Sequence, residues 1–170
     1  MNVRRAASII RPGNDASRGI PDAFDDTMPL YFAYGANMDA AAMALRCPVS
    51  RLIGGGCLKR HRFIIMREGY ASVVRDPARV VHGVLWELAL DDIPALDRYE
   101  GVAGGLYAKA TLPVTTAAGT KRALIYLGRS TAPGRPRPGY LDAVLAAARA
   151  AQLPPAYIRD LGTWMRGPPT

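Results

Sequence analysis

Glu100 is a carboxylate that the sequence places on the apolar face of a predicted helix. The pattern predicts this helix over residues 91–100, where Glu100 follows Leu96 by four positions and shares its face. Burial and the negative end of the helix dipole both favour the protonated carboxyl, so one interpretation is a base that works near neutral pH. The alternative is a structural glutamate at a frayed helix end, partly solvated or paired with Arg98 or Lys109.

The backbone of residues 34–37 (Tyr-Gly-Ala-Asn) is a second candidate site. It follows a short apolar run, residues 30–34, typical of a buried strand, and it precedes a helix predicted over residues 39–46 with Asp39 as N-cap. Consecutive N–H groups at such a junction lack intrahelical partners, and Gly35 lets the backbone approach a ligand closely. The loop could therefore hold a carboxylate or a developing oxyanion. The alternative is an ordinary strand-to-helix turn that binds nothing.

The cysteines and histidines do not form a metal-binding pattern. Cys47 and Cys57 have no Cys-x-x-Cys spacing, and His61 and His82 do not form a paired-histidine motif. Neither a zinc site nor a disulfide framework is indicated. We therefore expect two free thiols, no metal and no cofactor.

The formal net charge of +8 raises the question of an acidic partner such as nucleic acid. Residues 1–27 contain four arginines and four aspartates, so the whole excess lies beyond them. The tightest basic cluster, residues 59–62, directly precedes an apolar run and is typical of a solvated strand edge. The sequence therefore predicts no nucleic-acid binding.

Residues 1–27 differ in composition from the rest of the chain. They are rich in Gly, Pro, Ser and Asp without sustained periodicity, which predicts a flexible N-terminal extension followed by one domain over residues 28–170. The apolar stretch near the start, residues 6–10, is too short for a signal core, and no later run reaches the length of a membrane span. We expect a cytoplasmic protein without membrane attachment.

The remaining chain contains more predicted strands than helices. Apolar and β-branched runs predict strands over residues 62–66, 70–75, 80–88, 107–116 and 122–127. Residues 76–78 (Asp-Pro-Ala) predict a turn between the strands 70–75 and 80–88. Residues 117–120 predict the loop of a hairpin between the last two strands. The glycine triplet at residues 54–56 lacks the P-loop pattern and indicates a bend or bulge in a curved sheet.

Two more helices are predicted near the C-terminus. An alanine-rich helix begins near Pro138 and runs to residue 153, and a short helical piece covers residues 154–161. Strands and helices do not alternate regularly. The order predicts an α+β domain with a strongly curved, mixed or antiparallel sheet that can close into a barrel, flanked by a few helices.

Two motifs resemble signatures of the γ-glutamylcyclotransferase family. Residues 30–37 (LYFAYGAN) resemble its Tyr-Gly-Ser-Asn signature, and residues 96–102 (LDRYEGV) resemble the acidic helix end with its catalytic glutamate. Further similar segments follow in the same order, at residues 83–86, 105–107, 125–127, 138–140 and 153–157. The similarity covers about residues 30–157, and the two motifs together, in order and at compatible spacing, are specific.

The resemblance implies a small barrel with flanking helices and a cavity that has the 34–37 loop as its floor and Glu100 on its wall. The implied reaction is intramolecular: the α-amine of a γ-glutamyl amide attacks the γ-carbonyl, forms 5-oxoproline and releases the attached amine, without metal or cofactor. Glu100 is the implied catalytic residue. The implied substrate-binding residues are Tyr34, Gly35, Ala36, Asn37, Tyr107, Tyr126 and Tyr140. Ala36 stands where the family usually has serine, so that hydroxyl is missing while the backbone donors remain.

The favoured function is a γ-glutamylcyclotransferase that acts on a γ-glutamyl amino acid or a γ-glutamyl amine. One alternative is a family member that removes a γ-glutamyl protecting group from a biosynthetic intermediate. Another is a non-catalytic binding module on the same fold, which Ala36 makes conceivable and Glu100 argues against. The sequence indicates a small-molecule γ-glutamyl partner and leaves open both the leaving amine and the oligomeric state.

Overall fold

A computed structural model describes residues 28–169, in which five strands form a closed barrel. The strands are β1 (Leu30–Ala33), β2 (Arg51–Ile65), β3 (Ala71–Glu87), β4 (Tyr107–Thr116) and β5 (Gly119–Gly128). Their order around the barrel is β1, β3, β2, β4, β5, and a parallel contact between β1 and β5 closes it. The other pairings are antiparallel, so the predicted curved mixed sheet is confirmed as a barrel. The predicted extension at residues 1–27 lies outside the described part of the chain.

Four α-helices flank the barrel within residues 28–169: α1 (Ala40–Arg46), α2 (Ile93–Tyr99), α3 (Tyr140–Ala150) and α4 (Pro155–Gly162). Short 3-10 turns precede α1 and α2, at Ala36–Met38 and Leu90–Asp92, and another follows α4 at Thr163–Arg166. The predicted cap of α1 is confirmed, because the Asp39 carboxylate accepts hydrogen bonds from the N–H groups of Ala41 and Ala42. No helix among the described residues has the length and apolarity needed to cross a membrane.

The ends of the predicted helices shift by a few residues. The alanine-rich helix begins at Tyr140 rather than near Pro138 and ends at Ala150, and the turn at Thr163–Arg166 was not predicted. In α3 the side chains of Leu141, Val144 and Ala148 are buried, because this spacing keeps them on one face against the domain core. Both cysteines are free thiols, as predicted.

The predicted turn at residues 76–78 is wrong, because β3 runs without reversal from Ala71 to Glu87. In its ladder with β2, Arg75 pairs with His61 and Val80 pairs with Lys59. Residues 76–79 of β3 therefore lie opposite Arg60 alone and form a bulge. The local turn signal is real, since the Asp76 carboxylate accepts from the Ala78 N–H at 3.1 Å. Pairing on both sides of this bulge holds the strand in one direction.

Strand β2 is also longer than predicted and includes the glycine triplet. The expected irregularity is present, because the register with β3 shifts between Leu52 and Gly54. Gly56 packs closely against its neighbours: a Cβ there would lie 2.6 Å from Leu85 Cδ1 and 3.0 Å from Val114 Cγ1, so these side chains would have to shift. The hairpin prediction is confirmed, although its loop is only residues 117–118.

Candidate active site

A cavity of about 170 Å³ lies where β1 ends and where α2 ends. All eight side chains or backbone positions expected at the site line it: Tyr34, Gly35, Ala36, Asn37, Glu100, Tyr107, Tyr126 and Tyr140. The lining also includes Tyr31, Tyr70, Ala71, Tyr99 and Leu106. The volume is below the range of about 300–1,000 Å³ that is usual for drug-sized ligands, so the cavity suits a small molecule.

The floor of the cavity is the junction between β1 and α1. The chain leaves the barrel after Ala33 and forms the 3-10 turn before α1 begins. This turn is anchored from the barrel side, because Trp86 Nε1 donates to the Asn37 carbonyl at 3.1 Å. A Cβ on Gly35 would lie 3.1 Å from the Tyr140 hydroxyl and 3.3 Å from Ala71 Cβ. Gly35 therefore allows the backbone to approach the opposite wall.

Glu100 follows the last residue of α2, and its carboxylate lies against the floor. Asn37 Nδ2 donates to Glu100 Oε1 at 2.7 Å. The alternative of a structural pair with Lys109 does not occur, because Lys109 Nζ binds Asp97 Oδ2 at 2.7 Å. Gly101, with φ +61°, ends the helix and turns the chain away.

Burial raises the pKa of Glu100 from its ordinary value of 4.5 to about 7. The positive charge of Arg46 and the side chains of Tyr31 and Asn37 act in the opposite direction and keep the pKa from rising further. A carboxyl with this pKa exists in both protonation states near neutral pH. It can therefore accept and return a proton within one reaction.

The hydroxyls of Tyr107 and Tyr140 meet at the backbone of Ala71. Tyr107 donates to the Ala71 carbonyl at 2.5 Å, and Tyr140 accepts from the Ala71 N–H at 3.1 Å. Tyr70 packs edge-on against Tyr140, with ring centroids 5.2 Å apart. Burial raises the pKa of both Tyr107 and Tyr140, so this wall offers neutral hydroxyls and aromatic surface.

Tyr126 and Tyr34 form the barrel side of the cavity. Tyr34 donates to the Tyr126 carbonyl at 2.5 Å, and the Tyr126 hydroxyl donates to Asp97 Oδ1 at 2.6 Å. Burial alone would raise the pKa of Asp97, but hydrogen bonds from Lys109 and Tyr126 hold it below its ordinary value. Asp97 is therefore an ionised acceptor that fixes the ring of Tyr126.

Arg46 is a neighbour of the site that sequence reasoning missed. Its Nη1 donates to Asn37 Oδ1, and its Cζ lies 3.4 Å from the centroid of the Tyr99 ring. The spacing in α1 could have indicated this, since Arg46 follows the buried Met43 by three positions and therefore lies near the inward face of the helix. Tyr31, whose hydroxyl accepts from Asn37 Nδ2 at 2.9 Å, was missed as well.

No group of three or more His, Cys, Asp or Glu side chains that could hold a metal ion occurs within residues 28–169. The polar groups that converge on the cavity are one carboxylate, one amide and several tyrosine hydroxyls. Together they can hydrogen-bond a small polar molecule and exchange one proton with it.

Comparisons with known proteins agree with this architecture. Residues 80–161 match the model of the AIG2-like family. The "Gamma-glutamylcyclotransferase" of Mus musculus is 30% identical over 145 residues, covering 78% of this chain and 76% of the relative. The Homo sapiens "Gamma-glutamylcyclotransferase" is 30% identical over 150 residues, covering 81% and 79%. A solved "Gamma-glutamyl cyclotransferase" superimposes with a TM-score of 0.73 at 26% identity, covering 79% of this chain and 86% of that one. The chain therefore belongs to the γ-glutamylcyclotransferase family and is an enzyme of that type.

Proposed function

We infer that this enzyme converts the γ-glutamyl group of a γ-glutamyl amino acid or γ-glutamyl amine to 5-oxoproline and releases the free amine. The observation that carries the proposal is Glu100, a half-buried carboxyl in the cavity that is hydrogen-bonded to Asn37 and whose pKa desolvation raises to about 7. A glutamate with its ordinary pKa of 4.5 would be a weak base toward an amine. Glu100 is better matched to this proton transfer.

The nucleophile belongs to the substrate. The nitrogen lone pair of its neutral α-amine attacks the γ-carbonyl carbon, a C–N bond forms, and the carbonyl oxygen takes up negative charge. When the carbonyl re-forms, the bond to the attached amine breaks and the five-membered lactam remains. The enzyme's main task is to hold the glutamyl chain folded so that amine and carbonyl meet, which removes the entropic cost of the encounter.

Glu100 moves the proton in both halves of this reaction. Its carboxylate takes a proton from the attacking nitrogen as the C–N bond forms. The protonated carboxyl then gives a proton to the leaving nitrogen, so the amine departs neutral rather than as an anion. Asn37 keeps Glu100 Oε1 occupied by a hydrogen bond and thereby orients the carboxyl toward the cavity.

The floor loop supplies donors for the negative charges of the substrate. We assign the N–H groups of Gly35, Ala36 and Asn37 to the developing oxyanion or to the α-carboxylate, because these residues line the cavity at the start of a 3-10 turn. Ala36 offers no hydroxyl, so binding at this point depends on the backbone alone.

In this proposal the walls around the glutamyl group are formed by four tyrosines: Tyr34, Tyr107, Tyr126 and Tyr140. Their hydroxyls are mostly engaged with backbone groups or with Asp97, so they act as rigid surfaces. Tyr70 and Tyr99 are more exposed, which puts them at the mouth, where the leaving amine would lie. Different amines can therefore be accommodated there.

The proposal is tested by incubating the purified protein with a panel of γ-glutamyl amino acids and γ-glutamyl amines and measuring 5-oxoproline by mass spectrometry. The matched control substrates are the N-acetyl derivatives, which lack the nucleophilic amine and should give no product. We expect turnover of at least one free-amine substrate, unchanged after exhaustive chelation with EDTA. Hydrolysis to free glutamate without 5-oxoproline, or a requirement for added metal, would contradict the mechanism.

A further inference from the structure

Arg46, the last residue of α1, contacts two elements of the cavity at once. Its Nη1 donates to Oδ1 of Asn37 in the floor loop. Its guanidinium stacks on the ring of Tyr99, with Cζ 3.4 Å from the centroid, and Tyr99 directly precedes Glu100. A planar guanidinium can stack and donate at the same time, whereas a lysine ammonium cannot. Arg46 therefore connects the floor loop to the helix end that carries the candidate acid-base group.

The contact with Arg46 decides how the Asn37 amide is oriented. Asn37 Nδ2 donates to Glu100 Oε1 at 2.7 Å and to the Tyr31 hydroxyl at 2.9 Å, while Oδ1 accepts from Arg46. Rotating the amide by half a turn would place its oxygen against the carboxylate and its NH₂ against the guanidinium. Both contacts would then be repulsive. With Arg46 in place, the donor end of the amide faces Glu100.

Glu100 is electrostatically coupled to six tyrosines, which lie in β1, directly after β1, and in β4, β5, α2 and α3. They are Tyr31, Tyr34, Tyr99, Tyr107, Tyr126 and Tyr140. Burial raises the pKa of each of them, so they are neutral near pH 7. The adjacent carboxylate, Asp97, is paired with Lys109. Among residues 28–169, Arg46 is the cation whose charge lowers the pKa of Glu100.

We propose that Arg46 is a positioning residue of the site: it holds the Asn37 amide with its NH₂ toward Glu100 and places a positive charge beside the helix end that carries this carboxyl. The proposal deepens the proposed function, and its consequence for turnover rests on it. Its consequence for the Glu100 carboxyl does not, because that can be measured in the absence of any substrate.

The Glu100 carboxyl can be followed directly by NMR. The chain has three glutamates, Glu68, Glu87 and Glu100, so selective ¹³C labelling of glutamate side chains gives three carboxyl signals. The signal that is missing from the spectrum of the Glu100→Gln variant is that of Glu100. The titration is recorded in the wild type, in Arg46→Gln and in Arg46→Met.

Each variant removes the charge but keeps a different part of the contact. Glutamine can still donate to Asn37 Oδ1, and methionine keeps an apolar stem over the Tyr99 ring. The matched control is Arg98→Met, which removes an exposed arginine of α2 and changes the net charge by the same amount. Arg46→Lys restores the charge without the planar fork. Thermal melts confirm that each variant is folded. If one charge-removing variant does not fold, the other decides the question.

We expect the Glu100 midpoint to move up by about one pH unit in Arg46→Gln and Arg46→Met, because a nearby opposite charge lowers the pKa of a carboxyl by that order. Arg98→Met should leave the Glu100 midpoint unchanged. Arg46→Lys keeps the positive charge, so its midpoint should lie close to that of the wild type. The acid limb of kcat/KM should move in parallel, so turnover at pH 6 falls about tenfold and recovers at pH 9.

Two results would overturn the proposal. One is a Glu100 midpoint in both charge-removing variants equal to that of Arg98→Met. The other is a drop in turnover by the same factor at every pH with an unmoved midpoint, which would give Arg46 a structural role only. If the wild type forms no 5-oxoproline from any substrate, the proposed function fails, and the NMR titration still decides the role of Arg46.

Discussion

Replacing Glu100 by glutamine should change how the stability of the fold depends on pH. In the wild type, burial raises the pKa of this carboxyl from 4.5 to about 7, so between these values the folded protein binds more protons than the unfolded chain. The free energy of unfolding therefore decreases as pH rises through this window. Glutamine has nearly the same shape but does not titrate, so Glu100→Gln lacks this decrease.

The magnitude follows from the distance between the two pKa values. One pH unit corresponds to about 1.4 kcal/mol, so the interval from 4.5 to about 7 is worth about 3 kcal/mol. Below pH 4 the two proteins should have similar stability. Above pH 8 Glu100→Gln should be more stable by about 3 kcal/mol, or roughly 10 °C in Tm for a domain of this size.

The assay is urea denaturation at several pH values from 4 to 8.5, followed by circular dichroism. Glu68→Gln, which removes an exposed carboxylate from the turn between β2 and β3, is the control for the change in net charge. If the stability difference between Glu100→Gln and the wild type stays constant over this range, Glu100 titrates alike in both states. Burial would then not be what makes Glu100 a base.

Three further perturbations test other parts of the account. Gly35→Ala should reduce turnover by about one to two orders of magnitude, measured as 5-oxoproline release, because its Cβ would lie 3.1 Å from the Tyr140 hydroxyl and displace it. Asp92→Ala should lower the free energy of unfolding by about 2–4 kcal/mol, because Asp92 Oδ2 accepts from two backbone N–H groups and the Ser50 hydroxyl; Ser50→Ala should cost clearly less. Deleting residues 1–27 should leave Tm and turnover nearly unchanged, since their sequence lacks a core-forming pattern, and a large loss of Tm would contradict this.

The parts of the site that could be predicted from the sequence depend on short local patterns. A strand that stops at a glycine before a capped helix locates the floor loop, and the spacing from Leu96 to Glu100 locates the carboxylate. That these two segments, more than sixty residues apart, face one cavity came from the family resemblance rather than from the patterns. The catalytic and binding roles of the lining residues stay predictions.

The parts that were missed depend on tertiary contacts. The turn residues at 76–78 carry a strong local signal, but pairing with β2 on both sides makes them a bulge within one strand. Arg46 reaches Asn37 and Tyr99 only because the barrel brings α1 and α2 together. The spacing from Met43 indicates that Arg46 lies near the inward face of α1, but it does not indicate which residues Arg46 contacts, so the two contacts became visible only in the folded chain.

The central claim, that Glu100 transfers the proton in 5-oxoproline formation, is tested most directly by single-turnover kinetics of Glu100→Gln beside the wild type. The variant keeps the size of the side chain and a group that can hydrogen-bond Asn37, so substrate binding and folding should survive. We predict that the rate of 5-oxoproline release falls by about 10² to 10⁴, the usual contribution of a positioned acid-base group, with KM changed much less. A folded Glu100→Gln protein that releases 5-oxoproline at nearly the wild-type rate would contradict the account.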